Sequence, residues 1–407
     1  MSDRYPGGIL SATAPEPVAP VDGEGGSAPG VWTMEQASYY EGVGQWPKPV
    51  LPRELYAWGA NNTGQVGDNS VVRKSSPIQI GSITTWVQAD QDAWQSTAIK
   101  ADGTLWVWGN NESGQLGLNE LTSKSSPVQV GLLTTWAQTE VGDILQAAIK
   151  TDGTLWAWGL NNLGQVGIST IQNPFVEVSS PIQIGSLTTW SQVTAGNDHC
   201  AAVKTDGTLW AWGRNSFGRL GDNTVVNKSS PVQVGALTTW SQVSAGSNFT
   251  GAVKTDGTLW MWGLASDGRL GDNNSATHKS SPVQIGALTN WSQVSLGSLH
   301  TTAIKTDGTL WAWGRNNFGG SVGDNTIINR SSPVQIGALT TWLQVNGGAY
   351  TSAATKTDGT LWSWGYNASG ELGQNDIIFR SSPTQIGTGS WLQAAAGKGT
   401  MVAITKG

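Results

Sequence analysis

A chain that repeats one ten-residue phrase has few folds open to it. Lys204-Thr-Asp-Gly-Thr-Leu-Trp-Ala-Trp-Gly213 occurs six times almost unchanged, and a seventh, degenerate copy opens the series at Glu54-Leu-Tyr-Ala-Trp-Gly59. Apolar runs flank an Asp-Gly pair, which is the pattern of a β-hairpin. A type I′ turn is expected, because Asp-Gly tolerates φ > 0 at both central positions. Beyond the turn, Leu209 and Ala211 face one side of the strand and Trp210 and Trp212 the other. Gly213 ends the strand.

The period is about fifty residues. Trp-Gly pairs begin at Trp58, Trp108, Trp158, Trp212, Trp262, Trp313 and Trp364, at spacings of 50, 50, 54, 50, 51 and 51. Each pair leads into an Asn/Gly-rich loop. A Ser-Ser-Pro-x-Gln-(Ile/Val)-Gly segment follows, as at Ser229 to Gly235, and then a Trp-x-Gln strand, as at Trp240 to Val243. An apolar strand such as Gly251 to Val253 then climbs back to the Asp-Gly hairpin. Four short strands in each of seven units predict an all-β fold, a seven-bladed β-propeller. A solenoid is the alternative, and the ends of the repeat region argue against it. Glu54 to Trp58 is a strand without its hairpin partner, and Thr400 to Thr405 is a strand without its follower. Pairing this C-terminal strand with Leu55–Trp58 closes the ring and removes exposed edges. A solenoid would call for distinct polar caps.

The composition fits this reading. The 407 residues include 54 Gly and 23 Trp, against 6 Tyr and 5 Phe, and only 12% are charged. Seven Trp belong to the Trp-Gly pairs, and six precede them by two residues, with Tyr56 as the seventh. Seven more are Trp86, Trp136, Trp190, Trp240, Trp291, Trp342 and Trp391, leaving only Trp32, Trp46 and Trp94 outside the pattern. Recurrence at fixed positions favours burial between blades over sugar stacking. The net charge of −6 and the lack of a Lys/Arg run argue against nucleic acid and anionic membranes as partners. With Cys200 as the single cysteine, no disulfide framework or thiol metal cluster is expected. No apolar stretch follows Met1 and no run of 18 apolar residues occurs, so neither a signal peptide nor a membrane span is expected.

Residues 1–53 read differently. Pro6, Pro15, Pro17, Pro20 and the glycines from Gly23 to Gly30 are too dense for a packed domain. One short helix is expected from about Met34 to Glu41. Thr33 and Gln36 form a capping-box pair, Trp32 can staple onto Ala37, and Gly42 stops the helix. Trp32, Tyr39, Tyr40 and Trp46 are costly to leave in water, so the extended N-terminal arm is read as an anchor that orders on a partner. The propeller is expected over 54–407.

Residues 195–221 carry Ala195-Gly196, His199, Asp206-Gly207, Trp212-Gly213, Asn215 and Gly218-Arg-Leu-Gly221. This pattern resembles the regulator of chromosome condensation repeat family, and the resemblance covers 54–407. It implies a seven-bladed propeller. The eukaryotic namesake is a nucleotide exchange factor that also binds chromatin, with a basic tail and a wedge inserted in one blade. Here the tail up to Trp32 has one Arg and four acidic residues, and the largest insertion is four residues, between Ile168 and Val178. Exchange activity is therefore not carried over. The near-identity of the units is similar to bacterial and environmental members.

The leader adds a second resemblance. Its Pro-Gly-Gly-Ile-Leu-Ser start at Pro6, with Ala28-Pro-Gly-Val-Trp-Thr-Met-Glu-Gln-Ala37 and Gly44-Gln-Trp-Pro47, resembles the start of virion proteins of marine bacteriophages, especially those of cyanobacteria. This implies a non-enzymatic virion structural protein: a tail fibre, a spike, or a capsid or tail decoration. It would be made in the host cytoplasm and located in the virion. Other virion proteins would bind the arm, and a host-surface protein or glycan would bind the propeller, with a homo-oligomer an open option. The alternative is a soluble bacterial protein- or glycan-binding propeller, and behind it a guanine-nucleotide exchange factor.

No catalytic, cofactor or metal residues are assigned. His199 and His300 share a repeat position, where other units place Gln95, Gln146, Phe249 or Tyr350 at or near it. A slot that accepts Phe is a packing slot. The Asp of each hairpin is a turn residue, since its recurrence is what geometry requires. Cys200 and His199 are adjacent in a strand and point to opposite faces. Phosphate-loop and nucleophile-elbow motifs are missing from the sequence.

Candidate contacts lie on the loops. A basic residue precedes Ser-Ser-Pro in six units, at Lys74, Lys124, Lys228, Lys279, Arg330 and Arg380, with Val178 the exception. Asp68, Asp222, Asp272 and Asp324 recur nearby. Pairing of these opposite charges around a loop is favoured over a charged docking ring. Phe175, Phe217, Phe318 and Phe379 are expected to project from loops, where propellers build binding faces. Unit two departs from the repeat at Glu112, Glu120 and Leu121.

Overall fold

Each repeat folds as the four antiparallel strands of a blade. In the blade that begins at Trp190, Trp190–Ala195 is the inner strand, His199–Lys204 the second, Leu209–Gly213 the third and Lys228–Gln233 the outer. A computed structural model describes residues 52–92, 94–169 and 177–407. The expected arm helix, the arm aromatics Trp32, Tyr39, Tyr40 and Trp46, and loop residue Phe175 lie outside the described residues. Within 53–406 there are seven four-stranded sheets, and successive inner strands touch around the ring. The blades are numbered one to seven by their inner Trp, from Trp86 to Trp391.

Blade seven is assembled from both ends of the repeat region. Trp391–Ala396 and Thr400–Thr405 supply its inner half, Leu55–Gly59 and Lys74–Gln79 its outer half. Leu55 stands opposite Ile404 and Gly59 opposite Thr400. The closure expected from the unmatched end strands is thus present, with the C-terminal strand pairing with the first repeat strand.

The hairpin turn differs from the expected type I′. Gly103 N–H donates to Lys100 O at 2.9 Å and Lys100 N–H to Thr104 O at 3.1 Å. Only the glycine is left-handed, with φ +75°, while Asp102 keeps a negative φ. This is the three-residue hairpin loop with a bulge at glycine. The Asp also holds the strand that follows. Asp102 Oδ1 accepts from Thr104 N–H and from its hydroxyl at 2.7 Å, and that hydroxyl accepts from the Trp106 indole at 2.9 Å. A hydroxyl relay thus ties the turn to the strand it starts.

The Trp residues pack blade against blade. The Trp of each Trp-Gly pair has no exposed surface. In all but Trp313 its indole N–H donates to a loop carbonyl of the preceding blade, as from Trp262 to Arg219 O at 2.9 Å and from Trp212 to Gln165 O at 3.0 Å. Glycine is required at Gly221, where φ is +74° and a Cβ would sit 2.7 Å from the Trp262 indole nitrogen. The Lys of the decapeptide lies between two rings: Lys204 Nζ is 3.7 Å from the Trp210 centroid and 4.8 Å from that of Trp190. Six blades repeat this cation–π contact, which lets a charge sit almost fully buried.

The Gln of each Trp-x-Gln strand joins neighbouring blades. Gln242 donates from Nε2 to Val294 O at 2.8 Å, while its Oε1 accepts from Val294 N–H at 2.8 Å. Gln88, Gln138, Gln192, Gln293 and Gln393 make the same two-bond clamp on the next blade. Gln344 is exposed and makes none. The clamp fills the backbone groups of an inner strand whose outer edge alone is in a sheet. Replacing Gln242 by Leu is expected to cost about 2 kcal/mol, because it strands an N–H and a C=O between blades. Gln344→Leu should change stability by less than about 0.5 kcal/mol. Calorimetric melting of the two variants tests this; equal losses would exclude the clamp as a source of stability.

Candidate binding face and axial cavity

The strand directions sort the loops onto two ends of the propeller. One end carries the Asp-Gly turns. The other carries the tips between inner and second strands together with the Asn/Gly-rich loops, and the predicted loop residues that are described lie there. A buried Asn builds these loops except the one after Gly263, where Ala265 takes its place. Asn215 Nδ2 donates to Asp222 Oδ1 and to the carbonyls of Thr224 and Val226, while its Oδ1 accepts from Leu220 N–H at 2.9 Å. This geometry turns two aliphatic residues outward. Val71 and Val72, Val225 and Val226, Ile327 and Ile328, and Ile377 and Ile378 are each more than half exposed.

The six basic residues are all in ion pairs. Lys74 meets Asp68 at 2.8 Å, Lys124 meets Glu120 at 2.7 Å, and Lys228 meets Asp222 at 3.3 Å. Lys279 meets Asp272 at 3.6 Å, Arg330 donates from Nε to Asp324 at 2.6 Å, and Arg380 meets Asp376 at 2.6 Å. These partly exposed pairs hold the loops and leave no net positive ring.

Three predicted aromatics project from the loops. Phe217, Phe318 and Phe379 are 39%, 41% and 46% exposed. Phe217 sits edge-on to His278, with ring centroids 4.9 Å apart. Phe318 and Phe379 belong to a cluster: Phe318 stacks on Tyr366 at 4.9 Å and leans on Tyr350 at 4.8 Å, and Tyr366 meets Phe379 at 4.6 Å. Tyr350 and Tyr366 also line a bowl of about 530 Å³ at this end, with Trp94, Asn197, Asn248 and Lys398 on its wall. The sequence reading missed Tyr350, Tyr366 and Trp94. The signal was available at two places where the repeats diverge: the residue after each Trp-Gly pair and the tip of each inner hairpin.

Below the bowl a narrower cavity of about 90 Å³ lies on the axis, lined by the inner strands. The fourth residue after each inner Trp faces the next blade. Four of these side chains accept a hydrogen bond from the next inner strand: Thr194 from Ala245, Ser244 from Leu296, Ser295 from Gly347 and Asn346 from Ala396. At the same position blades one and two carry Asp90 and Glu140. Asp90 accepts from Val141 N–H at 2.8 Å. Burial pushes the Asp90 carboxyl up to about 6. Burial, and then the charge of Asp90, raises Glu140 well above the usual range.

The histidines are packing groups with a defined tautomer. The Thr250 hydroxyl donates to Arg219 O at 2.8 Å, so the His199 Nε2–H donates to that hydroxyl at 2.9 Å. The Ser352 hydroxyl, which donates to Ser321 O, receives His300 Nε2–H in the same way at 2.8 Å. Cys200 is buried, which raises its thiol pKa and keeps it protonated. Among the described residues, no group of three His, Cys, Asp or Glu is placed to hold a metal. No helix among them is long and apolar enough to cross a membrane.

The regulator of chromosome condensation (RCC1) repeat model matches residues 54–90, 102–148, 152–203, 206–253, 256–304, 307–355 and 358–404. The chain belongs to the RCC1 repeat family. It is 29% identical to the ultraviolet-B receptor UVR8 of Arabidopsis thaliana over 148 residues, 35% of this chain and 33% of that protein. It is also 29% identical over 191 residues to the probable E3 ubiquitin-protein ligase HERC3 of Homo sapiens, 46% of this chain and 13% of that one. The chain thus spans a third or less of these relatives' length. Among solved structures, human WBSCR16 superposes with a TM-score of 0.79 at 21% identity, over 87% of this chain and 99% of that one. Yeast RCC1 (Prp20), solved bound to Kap60, gives 0.77 at 18% identity, over 88% and 89%. At these identities the likeness establishes the fold.

The buried histidines make the RCC1-repeat ring acid-sensitive. Burial first, and then the Arg269 guanidinium, lowers His300 to about 4, and burial with Arg219 lowers His199 well below its usual value. Their folded-state pKa lies below the unfolded value near 6.5. The stability of the neutral form is therefore complete above about pH 6.5 and is lost as pH falls toward 4. For His300 the loss by pH 4 is on the order of 3 kcal/mol. Gln occupies this slot as Gln95, so His199→Gln/His300→Gln should melt with a flatter pH profile between 6.5 and 4. Parallel profiles for variant and parent would refute this.

Proposed function

We propose that this RCC1-repeat propeller is a non-enzymatic binding protein of a bacteriophage particle: a tail fibre, a spike or a decoration. In this reading residues 1–53 hold it to other virion proteins, and the loop end meets a protein or glycan of the host surface. The binding part rests on one observation above all. Phe318, Tyr350, Tyr366 and Phe379 gather half-exposed rings beside the bowl, at positions where the repeat itself does not call for aromatics. Rings with polar edges next to Asn197, Asn248 and Lys398 suit the apolar faces and hydroxyls of a sugar, or the mixed surface of a protein. The virion part rests on the leader resemblance. The titratable groups that could suggest catalysis are engaged in holding the fold. The Asp of each hairpin holds a hydroxyl, the decapeptide Lys stacks between indoles, and His199 and His300 tie neighbouring blades.

A soluble bacterial binding propeller would use the same face. For the exchange-factor reading, binding to Gsp1p and histones belongs to the yeast relative Prp20p, to which this chain is similar at 20% identity.

Two measurements separate these readings. Particles assembled without residues 1–53 should lack the protein in mass spectrometry while the purified propeller melts normally; incorporation of the truncated chain would overturn the anchor role. Phe318→Ala/Tyr366→Ala should reduce binding to host cells or to an array of bacterial surface glycans at least tenfold, with an unchanged melting temperature. Undiminished binding by that variant would remove the aromatic cluster from the binding face.

A further inference from the structure

The residue before each second strand lies at the tip of an inner hairpin, and it changes from blade to blade. It is Trp94 in blade one and Tyr350 in blade six, while blades two to five carry Ile144, Asp198, Asn248 and Leu299. Blade seven, which stands between blades six and one, has Gly399 there. The residue after Trp-Gly follows the same pattern, with Tyr366 in blade six and Ala60 in blade seven. Ala60 N–H donates to Gly399 O at 2.7 Å, so the two small residues lie side by side. The bowl therefore contains a slot over blade seven. Ala60 and Gly399 form its floor, Tyr350 and Tyr366 one wall, and Trp94 the other.

The fold asks for neither the gap nor the walls. Gly399 has no left-handed φ, and a Cβ there would meet only the Ala60 Cβ at 3.3 Å and the Glu371 carboxylate at 4.0 Å. Trp94 is 43% exposed, whereas the repeat buries its other indoles between blades. The polar groups around the slot narrow the ligand. Two charged side chains stand on the bowl wall, Lys398 and Glu371. Lys398 Nζ is 2.7 Å from Asp143, and Glu371 is 2% exposed and accepts from Ser369 N–H at 2.8 Å. Burial raises the Glu371 carboxyl pKa, which favours its neutral form. The carboxamides of Asn62, Asn197 and Asn248 also line the bowl and hydrogen-bond to no other described residue. Exposed rings, free amides and cancelled charge suit an uncharged ring with apolar C–H faces and a rim of hydroxyls.

We propose that the slot over blade seven binds an uncharged hexose unit of a surface glycan, stacked against Trp94 and Tyr350. The amides of Asn62, Asn197 and Asn248 take the hydroxyls of this unit and its neighbours, each offering a donor and an acceptor to adjacent hydroxyls. This rests on the loop-end reading above and names its ligand. It also adds Trp94, from the far side of the closing blade, to the aromatic cluster of blades five and six.

The test applies the full chain to an array of neutral hexose oligosaccharides and uronic-acid oligosaccharides, with intact host cells in parallel. Neutral glycans should bind, with the same affinity at about 50 mM and about 500 mM sodium chloride, because no ion pair forms. Trp94→Ala removes a stacking ring and should weaken this binding about tenfold or more. Gly399→Leu places in the slot the residue that blade five carries as Leu299, and should abolish binding. Both variants should melt as the parent does. Leu237→Ser, at the Asp-Gly end, should bind as the parent does. A parent that binds host cells but no neutral glycan overturns the slot and leaves the loop-end reading standing. Undiminished glycan binding by Trp94→Ala and Gly399→Leu does the same. A parent that binds neither cells nor glycans overturns both. Preference for the uronic-acid glycans, or binding lost at high salt, overturns the uncharged ligand.

Discussion

The structure depends on contacts between blades more than on any one blade. A four-stranded sheet of this size has two apolar faces and cannot bury either alone. Here each face finds its cover in the neighbouring unit. The cluster around Leu209, Leu220, Trp240 and Trp262 draws on two successive blades and belongs to neither. Two polar devices fix the register of that contact. The inner Gln clamps the next inner strand through both backbone groups, and the Trp-Gly indole donates back to the previous blade's loop. One acts forward near the axis and the other backward further out, so a blade cannot slide or tilt without breaking one of them. Directional bonds of this kind add little net energy but exclude wrong packings at a high cost.

This division of labour explains why the repeats are nearly identical and why their differences matter. Trp, Gln, Lys, Asp and Gly of the repeat are all used up in holding the ring. What remains free to vary is the residue after Trp-Gly, the tip of each inner hairpin and the axial ring position. Those are the places that carry Tyr366, Tyr350 with Trp94, and Asp90 with Glu140. Chemistry on this scaffold is therefore an asymmetric departure from a symmetric frame. The aromatic cluster lies over blades five and six and the acidic pair within blades one and two, so the closing blade seven stands between them.

Much of this is legible in the sequence, and the failures have physical reasons. Spacing gives the seven units, and the unmatched strands at Glu54 and Thr400 give the closure. The turn type is not read correctly from Asp-Gly, because that pair serves two hairpin classes. The Thr after Gly, whose hydroxyl holds both Asp and Trp, is what commits the chain to the longer turn. The Gln of Trp-x-Gln is visible as a motif residue, yet its partner lies some fifty positions away and is a backbone group, which has no signature in side-chain patterns. The same applies to the decapeptide Lys. Its cage joins Trp190 from an inner strand with Trp210 from a third strand, so only the folded blade brings the rings together. The loop charges are readable as pairs where Asp follows Gly. In blades one and six the acid moves to Glu120 and Asp376 and the pairing survives the move.

The axial pair shows most clearly what the ring imposes. In an open β-structure Asp90 and Glu140, fifty residues apart, would sit in water and need no explanation. Closure forces every inner strand toward one axis, so equivalent positions from different blades become neighbours in a space a few water molecules wide. A substitution that is neutral on a surface becomes a desolvated like-charge contact there. The ring can hold such a contact because the Gln clamps fix the strands on either side, and Gln88 and Gln138 flank this very junction. Rigidity of that order turns two carboxylates from a local strain into a preorganised pair, since they cannot relax apart without loosening the blades that carry them.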